Sequence, residues 1–437
     1  MPHYRDPVHG FIEINEQEQK IVDSPPFQRL RNIRQLATTY LVYHGAEHTR
    51  FGHSLGVMHL VTRTFDSITK KIPCLFRDDP EENDAVVQWY RQILRLIALT
   101  HDLGHAPFSH ASETLFPKGR GHEDYTRDII EQTEIAGYIS EIGAGLQKKL
   151  GEQYKITPEL LWMIYGENPE KHILDDDYIM PDFMFLRSLM DGEMDCDKMD
   201  YLLRDSKFCG VSYGKYDLDR FISSLTVYKD PDENIMQLAI EKGGLQSFEE
   251  FVLARYFMFI QVYFHRTRRY FDHLLGECLK EILPGGKYPE DVGEYLKWDD
   301  VEVLHAMKNK KSPCTDRYLR RQTMTCVRET SAHADRKEDK IFNIVCRAIK
   351  SGLGTGAVWT DKVDKAAHKL QPVLWEPNDD SGREIRVVDK HSGRSINIME
   401  ESLILESIAK PIRIDRLYVK KEDAPRAGAI IKSTCGE

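Results

Sequence analysis

From Asp84 onward the apolar residues Val86, Val87, Tyr90, Ile93, Leu94 and Ile97 recur at helical spacing and run unbroken into Thr100-His101-Asp102-Leu103-Gly104-His105. No other feature constrains the fold as much. A helix with such a stripe must be covered by other elements, and here its buried end delivers an imidazole and a carboxylate that are adjacent in sequence. An imidazole nitrogen and a carboxylate oxygen together suit a borderline divalent metal, and a rigid helix holds them at little ordering cost. Gly104 and Pro107 then break the helix, which lets His105 turn into a cavity. Ser109 is placed to cap a following helix on which His110 and Glu113 share a face.

Periodicity predicts further helices over residues 27–36, 54–68, 123–137, 158–164, 181–189, 198–206, 218–225 and a long one over 246–282. Pro284-Gly285-Gly286 is a breaker cluster, so a helical body over 1–285 and a smaller α+β region over 286–437 are expected. In the second region 287–350 still reads as helix, including 299–307 and 317–326, with the charged stretch 332–340 as an exposed loop. From about Ile341 the pattern alternates, with short strands at Ala357-Val-Trp, Pro372-Val-Leu-Trp, Ile385-Arg-Val-Val and 412–419. The predicted class is mainly α.

A formal charge of -10 argues against a surface that tracks nucleic-acid phosphates, which needs a broad basic footprint, so nucleic acid is not expected as the main partner. It leaves room for a small anion held by a local cluster of Arg and Lys. The eight cysteines form no Cys-x-x-Cys pair, which suggests reduced thiols rather than a zinc ribbon or a disulfide framework. No signal core and no run of roughly 18 apolar residues is present, so a cytoplasmic protein without membrane spans is expected.

A His-Asp dipeptide occurs by chance in many chains. Completing a ligand shell takes an upstream His and a downstream Asp, and the chain offers His53 in His-Thr-Arg-Phe-Gly-His-Ser-Leu-Gly and Asp197 in Met-Asp-Cys-Asp-Lys-Met-Asp-Tyr-Leu-Leu-Arg-Asp. The expected set is His53, His101, Asp102 and Asp197, around one divalent ion drawn from Mn, Fe, Mg, Ni, Co or Zn. With Arg-Asp-Pro-Val-His-Gly-Phe-Ile from Arg5, Phe-Gln-Arg-Leu-Arg-Asn-Ile-Arg-Gln-Leu from Phe27 and Arg-Gln-Thr-Met-Thr-Cys-Val-Arg-Glu-Thr from Arg321, six motifs stand in order. The chain resembles the HD-domain deoxynucleoside triphosphate triphosphohydrolases, the branch shared by bacterial enzymes and the eukaryotic SAM-and-HD-domain dNTPase.

The resemblance implies hydrolysis of dNTPs at the α-phosphate, giving deoxynucleoside and inorganic triphosphate. By it His105, His110 and His122 surround the scissile phosphate, with Glu113 where eukaryotic members carry Asp. Imidazole suits proton transfer because both of its forms are populated near neutral pH. Arg50 and Arg255 would contact the triphosphate, Lys198, Tyr201 and Asp205 the phosphate and sugar region, and Gln35, Leu36 and Tyr263 the deoxyribose. Asp200 reads equally as a structural ion pair. Asp23, Gln28, Arg31 and Phe51 match a guanine-nucleotide (GTP or dGTP) activator site, and Arg220 and Arg321 a second, dNTP effector site. Pro2 and Thr325 stand where lysines are expected, which removes charge-assisted contacts to a triphosphate. Family effector sites lie between subunits, so a homodimer or homotetramer is expected. The rival readings are an HD-type phosphodiesterase or nuclease, a hydrolase of signalling nucleotides, and a nucleotide sensor without turnover.

Overall fold

A computed structural model describes residues 2–166, 180–230, 236–370 and 384–436. At its centre two long helices, α1 (Arg50–Lys71) and α2 (Pro80–Thr100), pack side by side. Asp79 caps α2 by accepting from the Glu82 amide, Pro80 occupies the first turn, and every residue from Ile93 to Thr100 is buried. Helix α2 therefore passes through the core and places its C-terminus, His101, at the centre of the molecule. Around the pair lie α3 (His122–Gln132), α4 (Glu134–Leu150), α5 (Cys196–Cys209), α6 (Leu245–Met258) and α7 (Arg266–Ile282).

The chain opens with a hairpin, β1 (His3–Asp6) and β2 (Gly10–Glu13). Its turn is built by Asp6, whose Oδ1 accepts from the Val8 and His9 amides at 2.8 and 2.9 Å. A second sheet has the order β3-β4-β7-β8, with β3 (Leu225–Lys229), β4 (Met236–Glu241), β7 (Arg386–Val388) and β8 (Ser395–Asn397). Its β4–β7 pairing is parallel and matches Ile240 with Val387. The third sheet, β5-β9-β6, sets β9 (Ile412–Val419) between β5 (Thr325–Glu329) and β6 (Val358–Lys365). The molecule is mainly α with small sheets, and one large apolar cluster joins residues from Ile12 to Tyr418. None of the described helices is long and apolar enough to cross a membrane. The eight cysteines are free thiols.

Several local readings are corrected. Residues 27–36 hold only a short helix, Pro25–Arg29, and a 3-10 turn at Leu30–Asn32. The stretch 123–137 is divided at Thr133, which leaves α3 and caps α4. The long helix over 246–282 is broken by a π turn at Phe259–Tyr263 and by His265, although Arg255 still lies over the Phe259 ring and Phe259 still meets Tyr263. Residues 313–319 are helical (α9, Pro313–Leu319), following α8 (Asp300–Lys310), but Thr325 and Cys326 belong to β5, whose backbone is satisfied by β9. Asp335 caps α10 (Arg336–Leu353), so only 332–335 of the charged stretch are non-helical and 336–340 open a helix, of which Phe342, Val345, Cys346 and Ile349 form the buried stripe. Ser109 caps no helix: it stands at φ +52°, and its Oγ donates to Arg34 O within a pair of 3-10 turns. The strand expected at Pro372 lies outside the described residues.

Candidate metal centre and histidine cluster

His101 continues the helical hydrogen bonding at the end of α2, its amide donating to Ile97 O. Its Nδ1 lies 2.8 Å from Ala98 O, which fixes the proton there, while its Nε2 is buried without a partner. A bare imidazole lone pair in a closed site is costly unless something coordinates it. His53 comes from the first turn of α1 and Asp197 from the first turn of α5. Ligand atoms of His53, His101 and Asp197 converge within 4.8 Å of one another, with His53 Nε2 2.9 Å from Asp197 Oδ1. Asp102 stands beside them, 3.6 Å from His53 Nε2 and 3.4 Å from His101 Nε2, with Oδ2 accepting from Arg50 Nη1 at 2.6 Å. Two imidazoles with carboxylate oxygens and an orphaned Nε2 fit a divalent ion of the borderline class.

The charges are tuned for such an ion. Burial opposes the ionised form of Asp102, but Arg50, His101 and His105 outweigh it and hold the carboxyl well below its ordinary range. Burial likewise disfavours protonated His53, yet its bonds to Asp197 and Asp200 raise it to about 10, so a bound metal takes the place of a proton.

Helix α5 serves the site with two faces. Asp197, Lys198, Tyr201 and Asp205 follow one another along one side, and Asp195 caps the helix by accepting from the Lys198 amide and from Lys198 Nζ at 2.6 Å. On the other side lie Asp200, for which the sequence left a structural ion pair open, and Arg204 one turn on, to which it gave no role. Asp200 accepts from His53 Nδ1 at 2.8 Å, His9 Nε2 at 2.6 Å and Arg204 at 2.7 and 2.9 Å, and Arg204 also reaches Asp6 at 2.8 Å. A Cβ on Gly56 would lie 1.9 Å from Asp200 Oδ1, so the close approach of α5 to α1 needs glycine there. The carboxylate orients His53 from behind, as outer-sphere carboxylates do for metal-bound histidines. The Arg5-Asp-Pro-Val-His-Gly motif thus acquires a purpose: it carries Asp6 and His9 into this network.

A second group adjoins the first. His105 Nε2 is 3.1 Å from Asp102 Oδ1, and its Nδ1 is 3.2 Å from Glu113 Oε1. His110 Nδ1 and His122 Nδ1 approach the same oxygen at 2.9 and 3.1 Å. Burial and the Arg50 charge push His105 down to about 3. Burial disfavours the charged form of Glu113, but the three imidazoles override it and hold the carboxyl far below its usual range. His122 is disfavoured as a cation by burial but raised by Glu113 and Glu123. The backbone under this group is locked. Phe108 and Ser109 are both left-handed, at φ +58° and +52°, and Asp300 at the start of α8 accepts from the Phe108 amide at 2.7 Å. Arg29 donates to His105 O at 3.0 Å. Arg29 and Asp300 were also missed, since their partners are far away in sequence.

A cleft of about 590 Å³ opens on Asp197 and His122 and is lined further by Tyr165, Arg187, Asp195 and Lys198, a volume typical of small-molecule sites. Arg255 Nη1 pairs with Glu193 at 3.1 Å, Tyr201 and Tyr263 meet edge to face, and Tyr263 donates to Asp205, which also bonds His48 Nε2. Leu36 is buried, and Gln35 Oε1 is a buried acceptor without a partner. Among the effector residues, Arg31 donates to Gln28 and lies 3.5 Å over the Phe51 ring, at a cavity of about 310 Å³. Asp23 is engaged with Gln19. Arg220 reaches Gly243 O, and Arg321 donates to Leu41 O.

Residues 50–171 match the HD domain model and residues 216–344 the HD associated region. YwfO of Bacillus subtilis, an uncharacterized protein, is 32% identical over 79% of this chain and 69% of its own length. The deoxynucleoside triphosphate triphosphohydrolase SAMHD1 of Gallus gallus is 28% identical over 71% of this chain and 52% of its own, so the chain spans about half of that relative. The crystal structure of a phosphohydrolase from Bacteroides thetaiotaomicron superposes with a TM-score of 0.67 at 25% identity, covering 96% of this chain and all of that one. The buried His-Asp pair, the two helices that complete its ligand set and these likenesses together establish that the chain belongs to the HD-domain phosphohydrolase family, with the SAMHD1 deoxynucleoside triphosphate triphosphohydrolases among its relatives.

Proposed function

We propose that the protein hydrolyses deoxynucleoside triphosphates at the α-phosphate, releasing deoxynucleoside and inorganic triphosphate. The observation that carries this reading is the junction of two groups: the metal-binding set and the three-histidine cluster meet through Asp102 and His105 at 3.1 Å. A divalent ion held by His53, His101, Asp102 and Asp197 would polarise the phosphate and make hydroxide available near neutral pH. Water attacks the α-phosphorus and the bond to O5′ breaks. The departing O5′ needs a proton, and of the three histidines we assign its delivery to His122, supported by its contacts to Glu113 and Glu123. His105, kept neutral, orients the phosphate, and Arg50 spans from Asp102 to the substrate.

Lys198 and Arg255 bind the β and γ phosphates, and Tyr201, Tyr263, Asp205, Gln35 and Leu36 enclose the sugar. An aromatic packed against C2′ rejects ribose, whose extra hydroxyl would lack a partner. A guanine nucleotide is our reading of the 310 Å³ cavity lined by Arg31 and Phe51, with Gln28 holding Arg31, and a cytoplasmic homo-oligomer is its setting. The test is incubation with Mn²⁺ or Mg²⁺ and each dNTP and NTP, with and without GTP, resolving products by ion-pair chromatography. Deoxynucleoside with triphosphate, lost in the His101→Ala, Asp102→Ala protein, is expected. Release of pyrophosphate or single phosphates instead would overturn the reading.

A further inference from the structure

His105, His110 and His122 direct three Nδ1 atoms at one oxygen, Glu113 Oε1, at 2.9 to 3.2 Å. One carboxylate oxygen has only two lone pairs to offer. The His110 contact is an aligned hydrogen bond, whereas His105 Nδ1 is fully buried with no partner. The rings also crowd one another. His105 and His122 stack 4.0 Å apart at 15°, and His110 stands nearly perpendicular to both at 4.9 and 5.5 Å. Buried His105 also has a carboxylate on each side, Asp102 at 3.1 Å and Glu113 at 3.2 Å, so as a neutral ring it turns a bare lone pair on one of them in either tautomer. A single cation between the four groups removes both difficulties.

The distances suit one. Ligands bonded at about 2.05 Å to a tetrahedral zinc ion lie about 3.3 Å from one another, and the three nitrogens stand 2.9 to 3.2 Å from the oxygen. The ligand atoms of all four residues fall within 4.8 Å of each other. Three imidazoles and one carboxylate are a more nitrogen-rich donor set than the HD ligands, and favour zinc or cobalt over magnesium.

We propose that His105, His110, Glu113 and His122 form a second divalent-cation site, of the zinc class, distinct from the His53, His101 and Asp197 group. Because the proposed function assigns proton delivery to His122, filling this site removes the donor, and zinc acts as an inhibitor. The inhibitory part rests on that reading, whereas the binding part does not.

The test is a Co²⁺ titration of the metal-free full chain, with bound metal counted by equilibrium dialysis and the visible absorption of cobalt followed. Two ions per chain are expected. His110→Ala, which removes a side chain that is 66% exposed, should keep one ion, and Asp197→Asn should keep the other. Wild-type saturation at one ion, or two ions retained by both His110→Ala and Glu113→Gln, would overturn the assignment. With Mn²⁺-loaded protein and dNTPs, zinc at full second occupancy should cut turnover at least tenfold. Unchanged turnover would overturn the inhibitory role, and if no dNTP is hydrolysed at all the ion count still decides the site.

Discussion

Asp200→Asn removes one charge and almost no volume from a residue with no exposed surface. In the wild type the carboxylate accepts from His9, from His53 and twice from Arg204. An amide keeps one acceptor oxygen and turns an NH₂ towards a donor, so at least one of these bonds becomes a donor–donor clash. Arg204 retains only Asp6 as a charged partner. Losing one member of a buried ion pair costs about 3–5 kcal/mol when nothing replaces it, and an isosteric amide should cost roughly half of that. The effect on metal binding is separable. Outer-sphere carboxylates change metal affinity by about 10–100-fold, because His53 loses the bond that fixes its proton on Nδ1 and leaves Nε2 to the metal. The assay pairs urea unfolding of the metal-free protein with chelator competition for Mn²⁺ or Co²⁺, and His9→Gln runs beside it. Stability should fall in both variants, with metal affinity falling at least tenfold in Asp200→Asn. A variant that unfolds early yet binds metal with wild-type affinity would show that Asp200 only braces α5 against α1, and the argument for its orienting role would fail.

Gly104→Ala should lower activity at least a hundredfold and destabilise the fold by about 1–3 kcal/mol or more, since a Cβ there would lie 2.0 Å from His122 O and 2.3 Å from Thr126 N; kcat and chemical denaturation report both. His59 is pushed down to about 4 by burial and by the neighbouring His9. The folded state then binds fewer protons than the unfolded one, so stability is full above pH 6.5 and lost as pH falls towards 4. His59→Phe should remove that loss, about 1–2 kcal/mol after allowance for partial exposure, as unfolding at pH 7 and pH 4.5 would reveal. Chelation should lower the melting temperature, and re-addition of Mn²⁺ restore it, because ions that bind only the folded chain stabilise it by mass action. His101→Ala should abolish this response.

Legibility in the sequence followed the range of the interactions. His101, Asp102, His105 and Glu113 could be read because one helix and one turn position them, and the Gly104–Pro107 break was visible locally. His53 and Asp197 needed only their own helices to be recognised. The supports did not show: Asp200 to His9 spans 191 residues and Asp300 to Phe108 spans 192. The π turn at Phe259–Tyr263 carries no glycine or proline, so nothing local announced the break. The β5 strand looked helical because its reason for being extended is β9, about ninety residues away. The start of helix α10 was the avoidable miss, since Asp335 followed by Glu338 and a stripe at Phe342, Val345 and Ile349 is a readable signal.

The position of β9 has a bearing on synthesis. It is the middle strand of its sheet, yet Ile412 to Val419 is made after both of its neighbours. Until then β5 and β6 have no partner between them, and their unpaired edges are exposed to other chains. The helices that carry His53, His101 and Asp197 are complete some two hundred residues earlier. A nascent chain can therefore assemble its metal ligands, and meet its metal, well before the small sheet closes.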